Sequence, residues 1–196
     1  MSFDIAKNIG LQLFPLSNFN SREIANLYAE IWRDGPYSEV WTEDTAHQAV
    51  SSMGDNLLVA TFDDAIIGFI AGFPFIQSLE SHPDFFCATP AIQQLGLDVK
   101  KIDYLAELAV MHSYRGLGYG ASLLQSYVDY VIDKGCEGVL LRTHASNRNP
   151  ALPLYKNFGF TYLVDQTGKR ITTEVNHPRL GNIPEIDHRP FHLLKL

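Results

Sequence analysis

Cysteine, basic residues and long apolar runs are all scarce in this sequence, and each shortage excludes something. Only two cysteines occur, Cys87 and Cys136, far apart and outside any Cys/His ligand spacing. Neither a disulfide framework nor a bound metal is expected, and both thiols are expected reduced, as in a cytoplasmic protein. Lysine and arginine number 15 against 22 aspartates and glutamates, a formal net charge of −7. Nucleic-acid binders draw their affinity largely from phosphate neutralisation, so no nucleic-acid partner is expected. No uninterrupted apolar stretch approaches the roughly 18 residues of a membrane span, and none is expected to contact a bilayer. The opening MSFDIAKNIGLQLF lacks a basic region ahead of an apolar core, so no signal peptide is expected.

What remains is 196 residues, 46% of them hydrophobic and 12% aromatic, enough for one sizeable core. Residues 1–196 are therefore expected as a single domain, monomeric or homodimeric. Residues 9–17 read as a strand. Asn20 and Glu23 suit a capping box, followed at helical spacing by Ile24, Leu27, Tyr28, Ile31 and Trp32. Thr42 suits the cap of a second helix. The runs 56–62 and 65–75, parted by Asp63-Asp64, predict an antiparallel hairpin. Residues 77–101 show no clean period and are expected to be an irregular excursion, with Phe85 and Phe86 as a candidate lid. A nearly all-apolar strand is predicted over 102–111, a helix from Ala121 to Lys134-Gly135, and a strand over 138–143. A short helix opens at Asn149-Pro150, and strands follow at 160–164 and 190–196, separated by a second irregular stretch, 165–189. The expected fold class is α/β: a mixed, mostly antiparallel sheet with a central parallel β-α-β unit and helices on both faces.

The informative segment is Arg115-Gly116-Leu117-Gly118-Tyr119-Gly120, between the apolar strand and the helix. Glycines permit positive φ and let a ligand approach the backbone. The amides of Gly118, Gly120 and Ala121 fall at the first helical turn, where they lack intrahelical acceptors and suit phosphate oxygens, and Arg115 adds a full charge. The alternative is a tight corner that binds nothing. A dinucleotide reading also stands, because Gly116, Gly118 and Ala121 fit G-x-G-x-x-A and Arg142 can face a 2′-phosphate; it would make the chain an NADP-dependent oxidoreductase. No acidic residue closes the next strand to hold a ribose, which weakens that reading.

The run from Leu105 to Leu124 resembles the acetyl-CoA signature of the GNAT superfamily of N-acetyltransferases. That family's [Q/R]-x-x-G-x-[G/A] pattern is met by Arg115, Gly118 and Gly120. About 30 residues on, Leu154-Tyr155-Lys156-Asn157-Phe158-Gly159-Phe160 resembles the family's L-Y-x-x-x-G-F block. The resemblance covers residues 102–160, which would form the cofactor-binding core of a GNAT-like sheet. The family often places an asparagine seven residues before the tyrosine. That position here is Arg148, flanked by Asn147 and Asn149, and either asparagine is a candidate to face the cofactor.

The resemblance implies an acyltransferase moving an acetyl group from acetyl-CoA directly to a primary amine of a small molecule or peptide, with no metal. It implies that the backbone of Leu108, Ala109 and Val110 receives the pantetheine arm, the Val110 amide polarising the acetyl carbonyl, and that the segment from Arg115 and Gly116 through Leu117, Gly118, Tyr119 and Gly120 to Ala121 holds the pyrophosphate. Glu107, the only charged residue from Tyr104 to Met111, is the candidate base, and Tyr155 the candidate acid for the leaving thiolate. The loop bordering the acceptor would bring Tyr37 and Trp41 as an aromatic wall and Glu39 as partner for a cation; Trp41 equally suits a hydrophobic staple. A non-catalytic acyl-CoA-binding module is the main alternative.

Overall fold

The computed structural model describes residues 11–33, 39–145, 149–175 and 187–196. Among these, eight strands and six α-helices form a mixed α/β fold that is mostly antiparallel. The residues group into two compact parts, 11–72 with 107–129, and 73–106 with 130–175 and 187–196.

In the first part, β1 (Gln12–Pro15) pairs antiparallel with β2 (Leu57–Phe62), and β2 with β3 (Ala65–Pro74). Between β1 and β2 lie α1 (Ser21–Arg33) and α2 (Glu43–Met53). α1 buries Ile24, Ala25, Tyr28 and Ile31, the apolar face that the sequence spacing sets out. Its start is capped by Asn20, whose Oδ1 accepts from the Arg22 amide at 3.0 Å. The reciprocal capping box expected at Asn20 and Glu23 forms at α2 instead. There the Thr45 amide donates to Thr42 Oγ1 (3.2 Å) and the Thr42 amide to Thr45 Oγ1 (2.9 Å). A threonine hydroxyl at the third position completes the box as a glutamate would. Asp63 and Asp64 make the β2–β3 turn with φ of 47° and 62°, the left-handed pair that a two-residue hairpin turn requires and aspartate tolerates.

β4 (Ile102–Val110) gives its second half, 107–110, to this part, next to β3. The approach is close: a Cβ on Gly68 would collide with the Ala109 carbonyl. The Met111 amide donates to the Ile67 carbonyl at 2.8 Å. Residues 109 and 111 thus turn their backbone groups to β3, and alternation turns those of 108 and 110 the other way. A glycine-rich turn then leads into α5 (Tyr119–Asp133).

In the second part the first half of β4 pairs in parallel with β5 (Gly138–Arg142), in register from Ile102↔Gly138 to Leu105↔Leu141. With α5 as the connection, this is the β-α-β unit expected from the sequence. β5 pairs antiparallel with β8 (Asp187–Lys195), and β8 with both β6 (Thr161–Tyr162) and β7 (Thr172–Val175). α6 (Ala151–Asn157) precedes β6.

The segment 77–101 is not irregular. It continues α3 (Phe75–Ser81), makes a 3-10 turn over Pro83–Ala88, forms α4 (Thr89–Gln94) and ends in a 3-10 turn over Val99–Lys101. Helices of six and seven residues are too short to repeat a 3.6-residue period, and the two prolines that read as breaks sit at helix starts, where a missing N–H costs nothing. Phe75, Leu79, Phe85, Ala88, Ala91 and Ile92 form one core with Ile102, Tyr104, Leu140, Phe191 and Leu193. Phe85 is fully buried there while Phe86 is 59% exposed, so Phe85 is a core residue and no lid. The stretch 165–189 contains β7 and a turn in which Asp165 Oδ1 accepts from the amides of Thr167 (2.8 Å) and Lys169 (3.0 Å); residues 176–186 lie outside the described ones.

Candidate active site

In the first part the candidate residues follow one another along β4 and the turn after it. Glu107 is half-buried, and its Oε1 accepts from the Tyr28 hydroxyl at 2.9 Å. The sequence places Tyr28 only on the apolar face of α1; its hydroxyl makes a contact with Glu107 that helical spacing does not reveal. The Tyr28 ring stacks on Phe69 of β3 (centroids 5.6 Å apart, planes 18° apart) and meets Trp41 and Trp32 edge-on at 5.0 and 6.1 Å. Trp41 Nε1 donates to Glu39 Oε2 at 3.1 Å, and Glu39 is buried. Trp41 is therefore part of a packed aromatic group that donates to two carboxylates, Glu39 from Trp41 and Glu107 from Tyr28. Glu39 takes an indole N–H. Tyr37, the other expected wall residue, lies outside the described residues.

At the end of β4 the Val110 carbonyl accepts from Arg115 Nε at 2.9 Å. This fixes the guanidinium at the entrance of the turn. Gly116 and Gly118 have φ of 77° and 91°, values that a residue with a Cβ rarely adopts. The Ala121 and Ser122 amides fold back on the Gly118 carbonyl at 3.0 and 3.1 Å. Ala121 was expected to donate outward; its amide is used in closing the first turn. The preceding amides, those of Tyr119 and Gly120, have no carbonyl four residues back within the helix. The Tyr119 side chain is buried against Phe62 and Tyr114, with centroids 5.5 and 6.0 Å away, so only its backbone can serve a ligand. Leu117 is 61% exposed, whereas Ala109 is buried and Leu108 half-buried. An anion fits this turn on three grounds: a fixed guanidinium, helix-start amides, and left-handed glycines that leave the backbone bare.

In the second part Tyr155 is buried on α6, its ring edge-on to Phe160 at 5.6 Å. Asn149 is buried, and both its side-chain donors are spent within its own loop, on Thr143 Oγ1 and the His144 carbonyl at 2.8 Å each. Its Oδ1 accepts from the Ala151 amide at 3.0 Å. The side chain thus ties the end of β5 to the start of α6, with no donor left over for a cofactor. Asn147 lies outside the described residues. Arg142, the residue a dinucleotide reading would set against a 2′-phosphate, is held instead by Thr173 Oγ1 (3.1 Å) and Asp84 (3.4 Å) and lies over the Phe85 ring at 4.5 Å. Among the described residues no helix is long and apolar enough to cross a membrane.

Comparison with known proteins agrees with the motifs. The N-alpha-acetyltransferase MAK3 of Arabidopsis thaliana is 33% identical over 89 residues, which take in 41% of this chain and 46% of that relative. The alignment thus spans about half of the relative's length. The ribosomal-protein-alanine N-acetyltransferase of Brucella melitensis superposes with a TM-score of 0.64 over 94% of this chain and 99% of its own, at 14% identity. The yncA protein of Salmonella typhimurium, solved with acetyl-CoA, superposes with a TM-score of 0.63 over 95% and 94%, at 12% identity. At such identities these two likenesses establish the fold. The sequence profile described as the Acetyltransferase (GNAT) family matches residues 21–160, well over half of the chain, and the protein belongs to that family.

Proposed function

We propose that this protein transfers an acetyl group from acetyl-CoA to the primary amine of a peptide N-terminus or a small molecule, with the α-amine of a peptide as the favoured acceptor. The observation that carries the reading is the sequence of features along one strand and its turn. A half-buried carboxylate at Glu107 is followed by backbone groups of Leu108 and Val110 turned away from β3, and then by the Arg115–Gly120 turn. A peptide acceptor is favoured because the relative with 33% identity is an N-alpha-acetyltransferase.

Arg115 and the amides of Gly118, Tyr119 and Gly120 hold the pyrophosphate of the co-substrate, and the edge of β4 takes its pantetheine arm. Gly120 supports this assignment. It lies within α5, where no unusual φ calls for glycine, and it costs about 0.5–1 kcal/mol there relative to alanine. A bare backbone at a helix start lets a phosphate come close. The amine lone pair attacks the thioester carbon, the C–N bond forms, and the Val110 amide stabilises the oxyanion. Glu107 takes a proton from the amine, directly or through one water. The C–S bond then breaks, and the thiolate takes its proton from Tyr155, assigned to this role by its place in the L-Y-x-x-x-G-F block. Trp41 and Glu39 border the acceptor.

The test is thiol release from acetyl-CoA across a panel of N-terminal peptides and small amines. Acceptor-dependent release, with Tyr155→Phe lowering turnover while acetyl-CoA affinity stays nearly unchanged, is the expected result. Saturable acetyl-CoA binding with no release for any amine would make the chain a binding module.

A further inference from the structure

We propose that Arg142 is a carboxylate-binding residue: the Nε–Nη2 edge of its guanidinium takes a carboxylate carried by the acceptor. The acceptor as source rests on the acetyl transfer proposed above; the binding of a carboxylate does not. Arg142 is the last residue of β5, the strand that runs parallel to β4. Ligands of open α/β sheets gather beyond the carboxyl ends of parallel strands, and a cation fixed at that end is placed to meet one.

The guanidinium is held from one side. It lies over the Phe85 ring at 4.5 Å, and Nη1 donates to Thr173 Oγ1 at 3.1 Å and to Asp84 Oδ2 at 3.4 Å. Asp84 and Phe85 come from the 3-10 turn Pro83–Ala88 and Thr173 from β7, all within the second part. A guanidinium carries five N–H donors, two of them on Nη1. Among the described residues, the donors on Nε and Nη2 meet no acceptor. The side chain is only 14% exposed, so water solvates those donors poorly, and donors left unfilled on a charge held out of water are costly. Nε–H and one Nη2–H point the same way, at the spacing that meets both oxygens of a carboxylate together. The ring and the two bonds oppose rotation, so the fork is oriented before a ligand arrives. Asp84 already shares the positive charge, which suits a monoanionic carboxylate better than a phosphate dianion.

Binding is read first without turnover. The Nε–H signal of Arg142, assigned by its loss in Arg142→Lys, is followed by NMR as sodium acetate is added, against sodium chloride at equal ionic strength. It should move saturably with acetate and stay still in chloride, and inorganic phosphate should bind no more tightly than acetate. A signal that acetate leaves in place overturns the proposal; tighter phosphate binding overturns the carboxylate. Thiol release from acetyl-CoA then tests the source, with alanyl-alanine against its C-terminal amide and alanyl-glutamate amide against alanyl-glutamine amide. In at least one pair KM should be about tenfold lower for the acid, with kcat little changed, and Arg142→Lys should lose most of that preference. Equal KM within both pairs takes the carboxylate off the acceptor. Should Arg142→Lys fail to fold, Asp84→Asn, at an exposed position, replaces it. With the guanidinium charge no longer shared, the acid preference should widen about two- to threefold, and an unchanged preference there overturns the proposal. No release from any amine would remove the transfer reading, and the acceptor as source with it, while the acetate titration decides on Arg142 by itself.

Discussion

Arg115 Nε donates to the Val110 carbonyl at 2.9 Å, tying the first residue of the glycine turn to the last residue of the strand before it. One of the guanidinium donors is thereby used for position, and the rest of the planar group is left to meet an anion. Arg115→Ala removes both the charge and the tie, and should weaken coenzyme A binding about 10- to 100-fold by calorimetry. Arg115→Lys restores charge without the fork and should recover only part of that loss. Wild-type affinity in Arg115→Ala would place the diphosphate elsewhere.

Gly118 and Gly120 should respond to alanine with opposite signs of stability. Gly118 has φ of 91°, so Gly118→Ala strains the turn by about 1–2 kcal/mol. Gly120 lies in α5 with no such demand, so Gly120→Ala should leave the fold as stable or raise it by up to about 1 kcal/mol. Both should weaken coenzyme A binding, because at 120 the added methyl stands where a phosphate must approach. Urea denaturation paired with binding on each variant checks this. A Gly120→Ala protein that is more stable and binds as before would show that the helix start is only a corner.

The two adjacent phenylalanines of the α3–α4 segment should separate just as sharply. Phe85 is fully buried against Phe75, Tyr104 and Phe191, with the Arg142 guanidinium over its face. Phe85→Ala should cost about 3–5 kcal/mol in a denaturation experiment. Phe86→Ala, at 59% exposure, should stay within about 0.5 kcal/mol of the parent. Equal effects would contradict the packing described for this segment.

These residues show where the sequence is legible and where it is not. The β-α-β unit, the hairpin at Asp63-Asp64 and the glycine turn all rest on local signals, namely apolar runs, turn residues and a helix stop, and local signals survive in a linear reading. The 77–101 segment is not legible in the sequence because its helices are shorter than two turns, so burial of Phe85 and exposure of Phe86 leave no periodic trace. The sequence offers Asn149 alongside Asn147 as a candidate to face the cofactor, and only three dimensions show its donors turned inward to Thr143 and His144. Tyr28 and Glu107 are 79 positions apart, and nothing in the spacing of α1 marks one apolar-face tyrosine as the donor to a distant carboxylate.

His192 makes the stability of the second part depend on pH. It lies on β8, is buried, and its ring centroid is 4.3 Å from that of Tyr162, over which Arg170 stands at 3.8 Å. Burial lowers its pKa from 6.5 to about 4; a Pro190 backbone contact opposes the shift, and the Arg170 charge adds to it. In the unfolded chain the imidazole takes a proton near pH 6.5, whereas in the folded protein it stays neutral down to about 4. Above pH 6.5 both states are neutral and the full stability is present. As pH falls below that, the unfolded state alone gains a proton, and stability is lost progressively until the folded state is protonated too. The interval corresponds to a loss of up to about 3 kcal/mol. His192→Phe has no proton to gain, so its unfolding free energy should fall less than the parent's between pH 7 and pH 4, by up to that amount. Urea unfolding of both proteins across this range isolates the histidine from the carboxylates, which titrate in each. Parallel losses in the two would mean that His192 is as easily protonated inside the sheet as outside it.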